Sequence, residues 1–367
     1  MFEDLKGIEK EREERKRKHN LERLIEAGKK TIIKYKGIDY TKETNCHNKI
    51  YDYLKDLQFD EADLKAYIQT QSLREYEDEE KIILGHITGC LLQILTEKNR
   101  EKGKRTRFYI NGEGNKFDYL FYHASEADDL IVDNFRGEEI CTSVGARGTV
   151  RSVTVLNCEE GFNGASKIGS NEGSAELLIL HNNKGHNHGM LAGHNGKIRL
   201  LIATKNNGNT LTSNVGATGY ADIMLLSSNE GDQPGHMAAS FNGNINKIYV
   251  LNHKGDNIVN AFCAQQGTIE KAIITNQEGK GAAESDEILE PGNLKKLILY
   301  NAKRRRPSSA QECIEGKQAE EEYQKEMKQY RITELVNLSK SFSGKTPDEM
   351  FEIVDKIKAI YDEVKNV

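Results

Sequence analysis

The residues with the clearest potential for chemistry are four histidines in the segment HNNKGHNHGMLAGH. They are His181, His186, His188 and His194. A His-x-His pair on an extended segment places both rings on one side of the chain, as two ligands of one metal ion require. His186, His188 and His194 are therefore candidate metal ligands.

The place of these histidines in a repeat argues against a shared ion. His186 occupies the same repeat position as Asp232, two repeats later, and two stacked coils are ~10 Å apart. Zinc ligands lie ~2.0–2.2 Å from the ion, so these two side chains cannot share one. The column of His188 is mainly apolar, which predicts a packed histidine. We expect no metal and no other cofactor.

Two acids suggest carbohydrate chemistry. Asp232 and Asp256 lie one repeat apart, ~4.8 Å in a stacked fold, which is close to the carboxylate separation of retaining glycosidases. The chain has no Trp, and Tyr220 and Tyr249 are the only tyrosines between residues 148 and 292, so an aromatic platform for sugars is missing. A carbohydrate-active β-helix is one alternative, but we favour solvated surface acids and expect no enzyme.

The cysteines do not form a recognisable site. Cys141, Cys158 and Cys263 occupy different repeat positions, and none of the six cysteines of the chain belongs to a Cys-x-x-Cys pair. Buried thiols in a reducing cytoplasm are the expected interpretation. Metal or iron–sulfur handling through Cys141, Cys158 and the histidine segment is the alternative.

Basic residues concentrate at two places that flank the repeat. The first group is Lys98, Arg100, Lys102, Lys104, Arg105 and Arg107, and the second is Lys295, Lys296, Lys303, Arg304, Arg305 and Arg306. Clusters of this kind bind phosphate or RNA, which makes an RNA- or ribosome-associated protein a further alternative. We favour solvated charges that prevent edge-to-edge association of strands.

The repeat itself is visible as two columns of glycines. The first column is Gly137, Gly161, Gly185, Gly208, Gly231, Gly255 and Gly279, and the second is Gly148, Gly173, Gly196, Gly219, Gly243, Gly267 and Gly292. Successive members are 23 to 25 residues apart. A period of this length, held over seven repeats, indicates a solenoid with ladders of glycine at its turns.

Other repeat positions predict the shape of each coil. Six residues before the first glycine the column is apolar, from Ile131 and Val155 to Ile273, as in a buried strand. Three residues before that glycine four of seven residues are Asn, which predicts a turn with a partial Asn ladder. Small residues such as Gly145, Ser170 and Ser240 mark a corner. We predict a parallel β-helix of seven to eight coils, right-handed by the usual crossover preference.

Helices are expected on both sides of the solenoid. The pattern predicts helices over residues 1–27, Glu80–Lys102, 309–341 and Pro347–Lys365, the last with Thr346 as N-cap. We assign residues 1–104 to an N-terminal helical region, 105–302 to the solenoid and 303–367 to a C-terminal helical region. An open solenoid exposes its interior at both ends, so the helices are expected to cap it.

The order of parts, helices then β-helix then helices, resembles the scaffold subunits of the Suf iron–sulfur cluster assembly machinery. The resemblance covers this layout, and it implies an iron–sulfur assembly scaffold as an alternative function.

Overall composition points to no particular partner. The net charge of −5 gives no general affinity for nucleic acid, and no apolar run is long enough to cross a membrane. We expect a non-enzymatic cytoplasmic scaffold that binds a protein partner or itself, with nucleic acid as a possible ligand of the basic poles.

Overall fold

The structure is a computed structural model that describes residues 2–37, 43–256, 266–278, 293–302 and 310–366. Four helices come first: α1 (Phe2–Tyr35), α2 (Glu43–Leu54), α3 (Glu61–Ser72) and α4 (Asp78–Glu101). The helix predicted over Glu80–Lys102 is confirmed as α4. α1 continues beyond residue 27, where the predicted helix ended, and α2 and α3 were not predicted.

Thirteen strands follow within the described residues. They are β1 (Arg107–Asn111), β2 (Ala127–Asp133), β3 (Arg136–Gly137), β4 (Thr149–Leu156), β5 (Glu159–Phe162), β6 (Ser174–His181), β7 (Lys184–His186), β8 (Lys197–Thr204), β9 (Tyr220–Ser227), β10 (Asn244–Leu251), β11 (Thr268–Thr275), β12 (Asn293–Tyr300) and β13 (Glu312–Glu315). Ten of them form one parallel sheet in chain order, and β3, β5 and β7 form a smaller one. The chain is a β-solenoid of about 7 turns, as predicted, while its handedness stays a prediction.

Several members of the first glycine column lie where consecutive coils approach each other closely. Gly208 has φ +157°, and a Cβ added there would lie 1.5 Å from the carbonyl oxygen of Gly185. Gly231 and Gly255 make the same approach to the coil before them, at 2.2 and 2.0 Å. Gly279 and Gly292 lie outside the described residues.

The second glycine column meets the preceding coil at its corner. A Cβ added at any of its described members would lie 1.5–2.2 Å from a backbone oxygen of that coil. From Gly173 onward the contacted residues are Gly145, Gly169, Gly193, Gly216 and Ala239. The predicted corner residues Ser170 and Ser240 are each one position too late, because these two turns contain one more left-handed residue than the others.

A bulge shifts the second coil by one residue relative to the glycine spacing. Glu159 pairs with Lys184 and Phe162 with His186, so two residues of β5 oppose one of β7. Gly161 is therefore the extra residue, and its φ is not positive, unlike the φ of Gly137. Counting back from Gly161 assigned Val155 and Cys158 to columns that Thr154 and Asn157 in fact occupy.

In the coils whose residues the structure describes, the third side is not extended. Every second residue in it is left-handed, for example Asn163, Ala165, Lys167 and Gly169. Their N–H groups donate alternately to the next and the preceding coil: Asn163 to His186 O at 3.1 Å, then Ala165 to Ile140 O at 2.7 Å. These bonds between coils offset the ~1–2 kcal/mol that a left-handed conformation costs each residue with a side chain.

The strands of the large sheet are buried on both faces. One face lines the solenoid interior, with residues such as Leu178 and Leu180. The other face carries the predicted aliphatic column, including Ile131, Ile179 and Ile273, and lies under the C-terminal helices. That column is buried, as predicted, and it lies between the sheet and the C-terminal helices, outside the solenoid interior.

The C-terminal helices are α5 (Gly316–Gln329), α6 (Ile332–Ser339) and α7 (Pro347–Val364). The single helix predicted over 309–341 is wrong: β13 replaces its start, and left-handed Arg331 separates α5 from α6. The predicted Thr346 N-cap of α7 is confirmed, since Thr346 and Glu349 form a reciprocal capping box. The helices cover the side of the sheet and not its end.

The direction of α7 follows from its polar contacts with the sheet. Asp355 pairs with Arg151 of β4 at 3.4 Å, Lys358 pairs with Glu176 of β6, and the Tyr361 hydroxyl donates to Asp222 of β9 at 2.6 Å. Later residues of the helix thus contact later coils. α7 therefore runs along the stacking direction of the solenoid.

The N-terminal helices pack against the first coil. A Cβ added at Gly89 of α4 would lie 2.2 Å from the carbonyl oxygen of Tyr122, in the loop between β1 and β2. Buried residues of α4 such as Ile87 and Leu91 belong to the same apolar cluster as Phe121 and the solenoid interior. This region therefore closes the first coil, as a cap of the solenoid was expected to do.

Candidate functional site

The three histidines proposed as metal ligands occupy three different environments. His186 is exposed and its Nδ1 accepts a bond from the Asn209 N–H at 3.2 Å, whereas His188 is 1% exposed. His194 is half-buried, with Nδ1 3.4 Å from the Thr218 hydroxyl. Left-handed Asn187 interrupts the extended chain, so the rings of His186 and His188 do not share one side.

Asp232 and Asp256 take part in bonds between coils. One Asp232 carboxylate oxygen accepts from the Asp256 N–H at 2.9 Å, and the Asn209 side chain accepts from the Asp232 N–H at 2.9 Å. His186, Asn209 and Asp232 thus form a column in which each side chain accepts the backbone N–H of the next coil. The spacing of one coil, which suggested a glycosidase pair, thus allows these acids to form hydrogen bonds between coils.

A second, buried column of amides was missed by sequence reasoning. Asn183, Asn206 and Asn229 are at most 1% exposed, and the side-chain oxygen of each accepts the N–H of the preceding coil at 2.9–3.0 Å. The repeated Asn two residues before the first glycine was the available signal. The exposed Asn column that was predicted also contains contacts, such as Asn182 Nδ2 to Asn157 Oδ1 at 2.7 Å.

The cysteines considered for iron–sulfur chemistry are separated. Cys141 and Cys158 are both fully buried. Cys141 lies on the third side of its coil, in a left-handed conformation, whereas the Cys158 N–H donates to Asn183 of the buried amide column. Cys263 lies outside the described residues.

Part of the first basic group is used within the protein. Arg105 and Arg107 contact Asp355 of α7 at 2.8 and 2.5 Å, and Arg105 also pairs with Asp129. Lys102 and Lys104 are exposed. Lys303, Arg304, Arg305 and Arg306 lie outside the described residues.

One exposed row of side chains crosses the stack on the side of the small sheet. Its members, which pair from coil to coil, are Arg136, Glu159, Lys184, Asn207, Glu230, Lys254 and Glu278. We call this row the polar face. Its signs alternate through much of its length, and neighbours meet, as in Lys184 Nζ to Glu159 at 2.8 Å. Its side chains remain open to solvent: Lys184 is 70% and Glu278 74% exposed.

A cleft with a volume of about 470 Å³ lies in the N-terminal region. Lys81 and Lys116 face it, and both contact the buried carboxylate of Asp118, at 3.6 and 3.1 Å. Lys81 also pairs with Asp78 at 2.7 Å, so two carboxylates balance the two lysines and leave little net charge for a ligand.

A buried cluster of titratable groups lies where α2 and α4 meet the first coil. It consists of His47, His86, Cys90 and His123, and we call it the histidine cluster. His47 Nδ1 lies 3.4 Å from His86 Nδ1 and 3.6 Å from Cys90 Sγ. The ring centres of His86 and His123 are 5.4 Å apart, and those of His47 and His123 are 6.3 Å apart. Nothing in the sequence predicted this cluster, since its members span 76 positions.

Burial sets the charge state of the histidine cluster. It lowers the pKa of His47 to about 4 and lowers the pKa of His86 well below its usual value, so both imidazoles are neutral near pH 7. Burial also raises the pKa of the Cys90 thiol. Nε2 of His86 is buried and has no hydrogen-bond partner.

Among the described residues, no group of three or more His, Cys, Asp or Glu side chains could hold a metal ion. None of the described helices has the length and apolar character needed to cross a membrane.

No family model matches the sequence, no curated protein matches it, and no solved structure matches the fold.

Proposed function

We propose that the chain is a non-enzymatic β-solenoid scaffold, and that its polar face binds another macromolecule or a second copy of the chain. The observation that carries the proposal is the row of exposed, alternating charges, repeated at every coil. Seven coils at ~4.8 Å give a row of roughly 30 Å. Complementary charges along such a row would fix the register of a partner.

The other surfaces offer less to a partner. The outer face of the large sheet is covered by α5, α6 and α7, and the interior is filled with apolar side chains and amides. The N-terminal end is covered by α4. The polar face is a broad solvated surface that follows the repeat.

The alternating signs favour self-association as one form of this binding. Glu159 and Lys184 occupy equivalent positions in consecutive coils, as do Lys254 and Glu278. A second copy that is offset by one coil therefore meets opposite charges at these positions. Exposed pairs contribute only about 0.2–1 kcal/mol each, so several would have to act together.

The test is charge reversal on the polar face. We expect the double variant Lys184→Glu, Lys254→Glu to lose self-association, which sedimentation analysis measures. If the ligand is another macromolecule, the variant should lose the partner that cross-linking joins to the native protein in its own cell. The matched control is Lys317→Glu, Lys325→Glu, which makes the same charge change on exposed positions of α5. The control should retain both forms of binding. Equal binding by the two variants would contradict the proposal.

The alternatives have weaker support. A carbohydrate-active role would need Asp232 or Asp256 for turnover, and both take part in bonds between coils. Loss of measurable polysaccharide cleavage in Asp232→Asn would nevertheless overturn a non-enzymatic role. The RNA and iron–sulfur alternatives stay predictions, without a described site that favours them.

A further inference from the structure

We propose that the protein forms a two-fold symmetric dimer in which two polar faces meet in antiparallel orientation, with Asn207 of each copy at the axis. This inference rests on the proposed function of the polar face and names a second copy of the chain as its partner. The order of charges along the row is the observation that carries it.

The charges of the polar face are antisymmetric about Asn207. Along the stack the row carries a positive, a negative and a positive side chain, then the neutral Asn207, then a negative, a positive and a negative one: Arg136, Glu159, Lys184, Asn207, Glu230, Lys254 and Glu278. Each charged residue therefore has its opposite at the same number of coils on the other side of Asn207. A row that is reversed about Asn207 is the electrostatic complement of the original row.

A two-fold axis at Asn207 makes use of this order. If the axis lies between the two faces and at right angles to the stack, it brings the first coil of each row to the last coil of the other. Three kinds of opposite-charge pair result, each formed twice by symmetry: Arg136 with Glu278, Glu159 with Lys254, and Lys184 with Glu230. The two Asn207 side chains meet at the axis, where an amide can both donate and accept.

Other arrangements of the two rows lose this complementarity. In a parallel arrangement in register, every charged residue would meet its own equivalent and repel it. A slip of the antiparallel rows by one coil would bring Lys184 opposite Lys254, and a slip in the other direction would bring Glu159 opposite Glu230. A parallel arrangement offset by one coil leaves Asn207 opposite charged residues, and such a contact continues to a third copy instead of closing. Charge order thus selects one register.

The side chains of the row are placed to make these contacts. Neighbours within the row already reach each other: Arg136 lies 3.9 Å from Glu159, and Asn207 Nδ2 lies 3.3 Å from Glu230, so the groups form one line. The members that form ion pairs within the row are all more than half exposed. In the dimer each charge would have opposite charges both beside it and across from it, and such networks contribute more than isolated surface pairs.

The column of acceptor side chains beside the polar face fits the same axis. His186 and Asp232 lie one coil before and one coil after Asn209, which belongs to the same coil as Asn207. The axis that pairs the polar faces would therefore place His186 of each copy opposite Asp232 of the other. An imidazole and a carboxylate can share a hydrogen bond there.

The column on the other side contains a cation in the central coil, the exposed Lys205. Ser228 is the equivalent residue of the next coil, and its hydroxyl accepts from Lys340 Nζ at 2.9 Å. This column therefore borders the C-terminal helices. The neutral Asn207, and not Lys205, lies at the centre of the polar face.

The first experiment exchanges one charge pair and measures self-association by sedimentation equilibrium at low salt. Lys184→Glu should weaken the dimer about 10-fold, because symmetry breaks the contact with Glu230 twice. The double variant Lys184→Glu, Glu230→Lys should regain most of this loss. The matched control is Lys184→Glu, Glu278→Lys, which exchanges the same charges at two positions that do not meet and should stay at least as weak as Lys184→Glu. Circular dichroism establishes that each variant is folded.

The second experiment locates the axis by cross-linking. Faces that pack ~10 Å apart are too distant for a disulfide, so a short bismaleimide joins the introduced thiols, in a chain that also carries Cys263→Ser and Cys313→Ser. Asn207→Cys alone should give a covalent dimer, because this position meets itself. Lys184→Cys alone should give none, whereas a mixture of Lys184→Cys and Glu230→Cys chains should.

The outcomes separate the dimer from the proposed function. A native chain that stays monomeric at low salt would overturn the dimer, as would a Lys184→Glu, Glu230→Lys variant no stronger than Lys184→Glu. If Lys184→Glu, Lys254→Glu nevertheless loses a partner cross-linked in the cell, the polar face binds another macromolecule and only the dimer is wrong. If the native chain forms a dimer that this variant retains, both the dimer and the role of the polar face are wrong.

Discussion

The N-terminal and C-terminal helices both pack on the solenoid, but they contact it in opposite ways. α4 packs directly on the backbone of the loop between β1 and β2, and at Gly89 there is no room for a side chain. α5, α6 and α7 lie along the large sheet, and large side chains such as Ile357 of α7 and Phe342 of the loop between α6 and α7 pack against it. A helix at the end of the solenoid has to fit the shape of a single coil. A helix on the side packs on a surface that repeats at every coil, so it can lie along the stack.

The largest expected effect tests the C-terminal contact. Phe342 is 1% exposed within the cluster between helices and sheet, so Phe342→Ala should cost about 3–5 kcal/mol. Hydrogen exchange should accelerate in α5, α6 and α7, while α4 stays protected. Phe241→Ala, at a position 37% exposed, is the control and should change stability little. Equal acceleration in α4 would show that the two contacts are one cooperative unit.

The N-terminal contact should fail by overpacking. Leu at Gly89 would place a side chain against the Tyr122 carbonyl, and we expect a loss of about 3 kcal/mol despite the better helix propensity of Leu. Glu101→Leu places a leucine at an exposed position of the same helix, where it meets no clash and changes the helix propensity little. Calorimetry compares the two. If Gly89→Leu is as stable as Glu101→Leu, the close contact does not exist in solution.

Acid should weaken the C-terminal contact through His181. Burial, followed by the charges of Lys205 and Lys340, lowers the pKa of His181 to about 4, against ~6.5 when unfolded. The folded state favours the neutral ring, so its contribution is complete above pH ~6.5 and is lost as the pH falls towards 4. We expect a loss on the order of 2 kcal/mol.

The measurement is the pH dependence of urea unfolding, compared with His181→Gln. The variant should be less sensitive to pH between about 6.5 and 4. If the free energy of unfolding varies with pH in the same way for both proteins, protonation of His181 does not weaken this contact.

The smallest effect concerns the ion pairs of α7. Burial raises the pKa of Asp355, but the hydrogen bond and charge of Arg105, then the charges of Arg107 and Arg151, bring it below its usual value. The contribution is present above pH ~3.9 and is lost as the pH falls through the folded-state pKa. Asp355→Asn should cost about 1 kcal/mol at pH 7, and less in high salt. Glu352→Gln, at an exposed position of α7, is the control, and a loss that is unchanged by salt would contradict the ion-pair explanation.

The solenoid could be predicted because its period is imposed by close backbone contacts that only glycine allows. The register could not be predicted in the second coil, since one extra residue in β5 moves Val155 and Cys158 out of their columns without changing the glycine spacing. Left-handed turns at residues such as Lys167 were also missed, because their bonds to neighbouring coils outweigh local preference.

The candidate sites could likewise be predicted only in part. The conspicuous groups, His186 and Asp232, were visible in sequence, but their use as acceptors for the next coil depends on register. The histidine cluster was invisible, because His47 and His123 approach each other only when α2 packs on α4 and α4 on the first coil. Only His86 and Cys90, four residues apart on one helix, formed a local signal.

The course of α7 along the stack has a consequence for how such a chain can change in length. Three residues of helix advance ~4.5 Å, nearly the ~4.8 Å of one coil. Duplication of a coil would therefore leave a strip of apolar sheet uncovered unless the helices grew by about one turn. The length of the C-terminal helices is thus matched to the number of coils, and we expect coil number and helix length to vary together among chains of this architecture.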